Sequence, residues 1–108
     1  MRRGEVWWVD FAPAIGGEIQ KARPAVVVSN NAANQYSNRV QVIPLSSNTS
    51  KLYQSDAKII VQERESKAMA HQIRTVAKER LGTCIGELSP NDMRKVELAI
   101  RIQLSLAV

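Results

Sequence analysis

The chain is poor in cysteine and histidine, with one of each, Cys84 and His71, in 108 residues. A single thiol excludes an internal disulfide and fits a reducing cytoplasm, the expected location. One His and one Cys make no recognisable ligand set, so no protein-bound metal is expected. Long apolar runs are missing too. Arg2 and Arg3 open the chain as a signal peptide would, but Gly4, Glu5 and Asp10 interrupt the next stretch and no apolar h-region forms. No run is long enough to span a bilayer, so no membrane partner is expected. Internal repeats, linkers, low-complexity stretches, blocks of like charge and a polybasic tail are also absent.

What is present suits one domain, residues 1–108, with no room for two. A domain of this size buries roughly 60–70% of the surface its unfolded chain exposes. That supports one modest core, which burial at a subunit interface would supplement. A hydrophobic content of 44% marks a globular chain. Fifteen Lys and Arg against ten Asp and Glu give a formal net charge of +5. A small basic domain is drawn to polyanions, of which nucleic acid is the commonest, although charge alone does not separate that from ordinary solubility.

Residues 4–11 (GEVWWVDF) read as a strand with Trp7, Val9 and Phe11 on one face and Val6, Trp8 and Asp10 on the other. The first face is the expected core, and Trp8 is the Trp expected to be partly exposed. Residues 12–23 form a polar loop with Pro13, Gly16 and Gly17, long for a plain hairpin and therefore a functional candidate. Residues 24–30 (PAVVVSN) are the strongest strand, with Pro at its tolerated first position. Residues 31–38 suggest a short helical turn. Residues 40–46 (VQVIPLS) give a third strand in which Pro44 implies an edge or a bulge. A polar turn over 46–50, strands over 57–61 and 68–73, a charged turn over 63–67, one helical turn over 76–81 and a strand over 83–88 complete the expected pattern.

Ser89 opens the clearest helix, with Pro90 at its first position and Asp92 where a capping-box partner belongs. Met93, Val96, Ile100 and Leu104 form one apolar stripe, and Leu98, Ile102 and Leu106 a second nearly opposite. Either one stripe packs on the sheet and the other faces a subunit, or both lie against one core. Many short strands followed by one long helix predict a mainly β fold: a small, strongly bent antiparallel sheet or partial barrel with a C-terminal helix.

Four segments in order, RRGEVWWVDF, GGEIQKARPAVVVSN, VIPLSSN and HQIRTVAKERLGTCIGEL with its terminal helix, resemble the MazF/PemK/Kid toxin family over essentially the whole chain. The resemblance implies an SH3-like small barrel of the CcdB type and a symmetric homodimer. It implies cleavage of single-stranded RNA, such as mRNA, tRNA or rRNA, at short motifs without metal or other cofactor. The ends left would be 2′,3′-cyclic phosphate and 5′-hydroxyl, and growth and translation would be inhibited. It also implies a cognate MazE-like antitoxin whose disordered C-terminal segment blocks the site.

Such a cut uses the RNA's own 2′-hydroxyl as nucleophile. The protein must accept that proton, neutralise the phosphorane and protonate the leaving 5′-oxygen. Arg23 matches the family's Arg-Pro position and offers phosphate oxygens a permanently charged planar fork; the bland alternative is a surface Arg capping the strand. Ser46 matches the family's catalytic Ser or Thr, with Ser47 and Ser50 close enough for the register to slip. Glu18 matches a loop carboxylate that accepts the 2′-hydroxyl proton in relatives, or else holds Lys21 or Arg23 in place. His71 stands where relatives carry Asp or Glu; an imidazole suits acid–base work, or it is an ordinary strand histidine. The choice of base between Glu18 and His71 stays open. Lys21, Asn30, Ser47, Asn48, Lys51, Gln72 and Arg74 are candidates for RNA contacts. Trp8 is a candidate for stacking on a base, for an interface, or for the core.

Two other functions share this outline. A gyrase-poisoning CcdB-like toxin has the same fold but depends on a Trp near the C-terminus, and this chain ends SLAV. A non-catalytic RNA- or protein-binding barrel is the other, and composition does not separate it.

Overall fold

The computed structural model describes residues 1–13, 15–18 and 21–107. Seven strands and two α-helices succeed one another as β1 (Glu5–Asp10), β2 (Ala22–Val27), α1 (Asn31–Tyr36), β3 (Arg39–Ser46), β4 (Asp56–Val61), β5 (Arg64–Met69), β6 (Arg74–Ala77), β7 (Leu81–Glu87) and α2 (Pro90–Leu104). Single 3-10 turns at Ala70–Gln72 and Lys78–Arg80 flank β6. The strands form one curled antiparallel sheet in the order β4-β5-β3-β2-β1-β7, with β6 also paired to β3.

Both faces of β2 are buried, which explains its continuous apolar run. A strand covered on both sides loses the alternation of a half-exposed one. Ala25 and Val27 join Val9, Phe11, Val40, Val42, Val76 and Leu81 in one cluster, with Trp7 packed against it. Val26 and Val28 join Val6, Ile43, Leu45, Ala57, Ile59, Ala68, Leu88, Val96 and Ala99 in the other. The face of Trp7, Val9 and Phe11 is therefore core, as expected, but Val6 on the opposite face is fully buried as well. Trp8 is 45% exposed.

Five expectations need correction. Residues 63–67 are not a turn, since β5 starts at Arg64 and the turn is Gln62–Glu63. The strand expected over 68–73 ends at Met69, where a 3-10 turn over Ala70–Gln72 takes over. The helical turn expected over 76–81 is there but shorter, a 3-10 turn over Lys78–Arg80, because Val76 and Ala77 belong to β6. Pro44 lies in an interior strand, where it needs no edge. β3 pairs with β6 up to Val42 and with β5 from Leu45, so Pro44 falls in the gap between those ladders. Finally, Ser89 caps α2 by accepting from the Asp92 amide at 3.1 Å, but the Asp92 carboxylate does not return the bond. Its Oδ2 accepts from the Ile60 amide at 2.9 Å, tying the helix to β4, an outer strand of the sheet.

Helix α2 buries Val96 and Ala99 and leaves Leu98 and Ile102 at 47% and 44% exposure. These two, with Ala57 and Lys58, line a recess of about 270 Å³ between α2 and β4. No helix among the described residues is long and apolar enough to cross a membrane.

Candidate active site

Four neighbouring strands, in the sheet order β5, β3, β2, β1, build an open cleft of about 500 Å³. Its walls are Trp8 from β1, Arg23 and Pro24 from β2, Leu45 and Ser46 from β3 with Ser47 beyond, and Arg64 and Ser66 from β5. The volume falls within the range of small-ligand clefts, roughly 300–1,000 Å³. The cleft continues the face that forms the core farther in. Along β1 Trp8 follows Val6, along β2 Pro24 precedes Val26, and along β5 Arg64 and Ser66 precede Ala68, each at the two-residue spacing that shares a face. Where apolar side chains stop, aromatic, hydroxyl and guanidinium groups take over.

Arg23 is the most unusual of these. It pairs with Val9 in the β1–β2 register, beside Trp8 opposite Pro24, and its Nε is buried without a hydrogen-bond partner. A buried donor left unpaired costs free energy comparable to a lost hydrogen bond, so this edge of the fork is ready for an acceptor. Ser46 stands at the end of β3, and its Oγ accepts from the Asn48 amide at 3.2 Å. That leaves the hydroxyl proton free to donate. Two cations and no carboxylate line the cleft, which makes it a site for an anion.

Of the residues singled out in the sequence, Trp8, Arg23, Ser46 and Ser47 meet here and the others do not line it. Glu18 lies on the β1–β2 connection; its Oε1 accepts from the Ile15 amide at 3.0 Å and its Oε2 is 3.9 Å from Arg74 Nη1. Arg74 also stands 5.3 Å from the centre of the Phe11 ring. His71 sits in the first 3-10 turn and lines a separate recess with Tyr53 and Ser55. Its Nδ1 is 4.0 Å from the fully buried Asp56 carboxylate. Asn30 is occupied as the cap of α1, accepting from the Ala33 amide at 2.8 Å. Asn48 organises its own turn by accepting from Ser50. Lys51 Nζ lies 5.6 Å from the centre of the Tyr53 ring. Lys21 closes the β1–β2 connection, its carbonyl accepting from the Phe11 amide, and Gln72 is partly buried in the 3-10 turn.

Arg64 and Ser66 were absent from the sequence candidates because residues 63–67 read as a turn. No local signal marks them, because Arg-Glu-Ser-Lys over 64–67 has no apolar alternation and becomes a strand only by pairing with β4. Among the described residues, no three His, Cys, Asp or Glu side chains lie together as metal ligands would.

Residues 2–104 match the family described as the PemK-like, MazF-like toxin of type II toxin–antitoxin systems. The chain is 39% identical over 115 residues to the endoribonuclease MazF9 of Mycobacterium tuberculosis, covering 98% of each chain. It is 33% identical over 111 residues to the endoribonuclease EndoA of Bacillus subtilis, covering 98% of this chain and 96% of that one. Among solved structures, a mycobacterial endoribonuclease in complex with its cognate antitoxin superposes with a TM-score of 0.84 at 27% identity, over 100% of this chain and 98% of that one. MazF of Deinococcus radiodurans gives 0.84 at 21% identity over 97% and 96%, a likeness of fold.

Proposed function

Because the chain belongs to the PemK-like, MazF-like toxins of type II toxin–antitoxin systems, we propose that its cleft is the active site of an endoribonuclease that cuts single-stranded RNA at a short motif without metal. The observation that carries this is Arg23, a guanidinium with a buried, unpartnered Nε beside Ser46 in a cleft lined by no carboxylate. The relatives with 39% and 33% identity are both endoribonucleases.

In this reading the 2′-hydroxyl gives its proton to a base and attacks the adjacent phosphorus, and the bond to the 5′-oxygen breaks as that oxygen takes a proton from solvent in the open cleft. One fragment ends in a 2′,3′-cyclic phosphate and the other begins with a 5′-hydroxyl. Arg23 bonds the non-bridging oxygens as charge builds on the phosphorane, where a preorganised donor acts most strongly. The Ser46 hydroxyl donates to the same group and fixes its orientation. Trp8 offers a face for a base, a contact that tolerates any sequence. Neither carboxylate nor imidazole lines the cleft, and Glu18, on the connection that leads into Arg23, is the better candidate of the two for the base because that connection borders the cleft while His71 lines a different recess. Cutting mRNA in this way stops translation and growth, in the cytoplasm. By analogy with the mycobacterial complex, a cognate antitoxin of the MazE type holds the enzyme in check, and the exposed Leu98 and Ile102 of α2 support a homodimer as the active form.

Incubation of purified protein with mixed RNA in EDTA is expected to give discrete fragments with 5′-hydroxyl ends. Arg23→Ala should retain the fold and lose at least roughly 10²-fold in rate, the scale of removing one oxyanion donor. Full activity in that variant removes Arg23 from the mechanism. RNA left intact by the unmodified protein overturns the nuclease reading, and a change in supercoiling by gyrase would favour a CcdB-like activity.

A further inference from the structure

The cleft holds a second guanidinium, and the hairpin that delivers it separates it from the neighbouring charges. Gln62 and Glu63 join β4 to β5, both in the left-handed region at φ 50° and 64°, the backbone of a two-residue mirror-type hairpin turn. That turn sets Val61 opposite Arg64 and Ile59 opposite Ser66. Its tip is pinned across the sheet, where Gln62 Nε2 donates to the Ile85 carbonyl of β7 at 3.1 Å.

Strand alternation then sorts the side chains. Glu65 pairs with Lys58 at 2.7 Å. Lys67 donates to the Lys51 carbonyl at 2.8 Å and lies 3.8 Å from Asp56. Arg64 and Ser66 are left to line the cleft, and among the described residues Arg64 has no carboxylate partner. Because β3 lies between β2 and β5, Arg64 and Arg23 come from strands on opposite sides of the one that carries Ser46. One guanidinium suffices for the reacting phosphate, whereas an unpaired strand carries a charge at every linkage.

From this juxtaposition, and resting on the nuclease reading above, we propose that Arg64, aided by the Ser66 hydroxyl, binds a phosphate flanking the scissile one. It would thereby set how the RNA lies along the cleft. Arg64 is a binding residue in this scheme, and the chemistry stays with Arg23 and Ser46.

Sequencing the 5′ ends of cut RNA first supplies the motif. An oligonucleotide of that motif is then made uncleavable by a 2′-deoxy sugar at the scissile nucleotide, with one linkage at a time replaced by a neutral methylphosphonate. Binding is measured by fluorescence anisotropy. With the unmodified protein, one flanking neutral linkage should weaken binding roughly 10- to 100-fold, the worth of a charged hydrogen bond. Arg64→Ala should weaken the fully charged oligonucleotide by the same factor, and the neutral linkage should then cost nothing more. The log–log salt slope should shrink by about 0.7. In turnover, KM should rise with little change in kcat. Arg64→Gln should behave like Arg64→Ala, and a thermal melt of each checks that the fold is kept.

Normal binding by both variants overturns the subsite, as do losses that multiply at every linkage. A fall in kcat with KM unchanged overturns it too, since Arg64 would then act on the scissile phosphate. An unmodified protein that cuts no RNA sinks the nuclease reading itself. One that cuts while both variants bind normally sinks only the subsite.

Discussion

Arg23 and the two candidate bases show how much depends on where a single side chain ends. A guanidinium keeps its charge wherever it is placed, so Arg23 needs only geometry, and the cleft supplies it. A base needs geometry and a proton inventory together. Glu18 lies on the connection that closes at Asp10 opposite Ala22, two steps along the register from Trp8 opposite Pro24, whose side chains line the cleft. His71 faces Tyr53 and Ser55 instead. Glu18→Gln is therefore expected to lower kcat about 10²- to 10⁴-fold, the usual reach of a general base. His71→Ala should keep both the rate and the pH–rate profile. A profile lost in His71→Ala and kept in Glu18→Gln would reverse the assignment. In the sequence, Arg23 and Ser46 stood out because they match the family's Arg-Pro and Ser or Thr positions. Arg64 did not, since nothing in a run of alternating charges marks one of them as facing inward.

At the scale of elements, α2 was readable from its cap, its Pro and its periodic Val96 and Ile100, because a helix declares itself within a few turns of chain. Strand β2 was readable from unbroken hydrophobicity. Strand β5 was not: Arg64, Glu65, Ser66 and Lys67 have no apolar alternation, and only pairing with β4 makes them a strand. The sequence placed Asp92 correctly in the first turn of α2 but not its partner, because Ile60 is 32 residues away and local rules see only neighbours. That contact carries a prediction. Asp92→Ala leaves the Ile60 amide without its acceptor and should cost about 1–3 kcal/mol, read as a lower denaturation midpoint at unchanged slope. Ser89→Ala, which removes only the cap, should cost about 1 kcal/mol. An Asp92→Ala variant as stable as the unmodified protein would mean that the link between α2 and β4 adds nothing.

Across the whole molecule, a small sheet curls until both faces of its central strands are covered, and part of the apolar surface left over lies on α2. Leu98 and Ile102 flank the recess against β4, and Leu104 and Leu106 continue the exposed apolar surface at 49% and 54% exposure. If the proposed homodimer forms through this face, Ile102→Asp should lower the mass seen by light scattering from dimer to monomer while the subunit still melts cooperatively. An unchanged mass would count against this face as a subunit contact. The cleft has a different consequence. Its walls come from positions as far apart as Trp8 and Ser66, joined only when four strands have paired. No contiguous stretch of the polypeptide holds the reactive groups together. On the proposed reading, a chain or fragment that lacks any one of these strands has no assembled cleft and should cut no RNA.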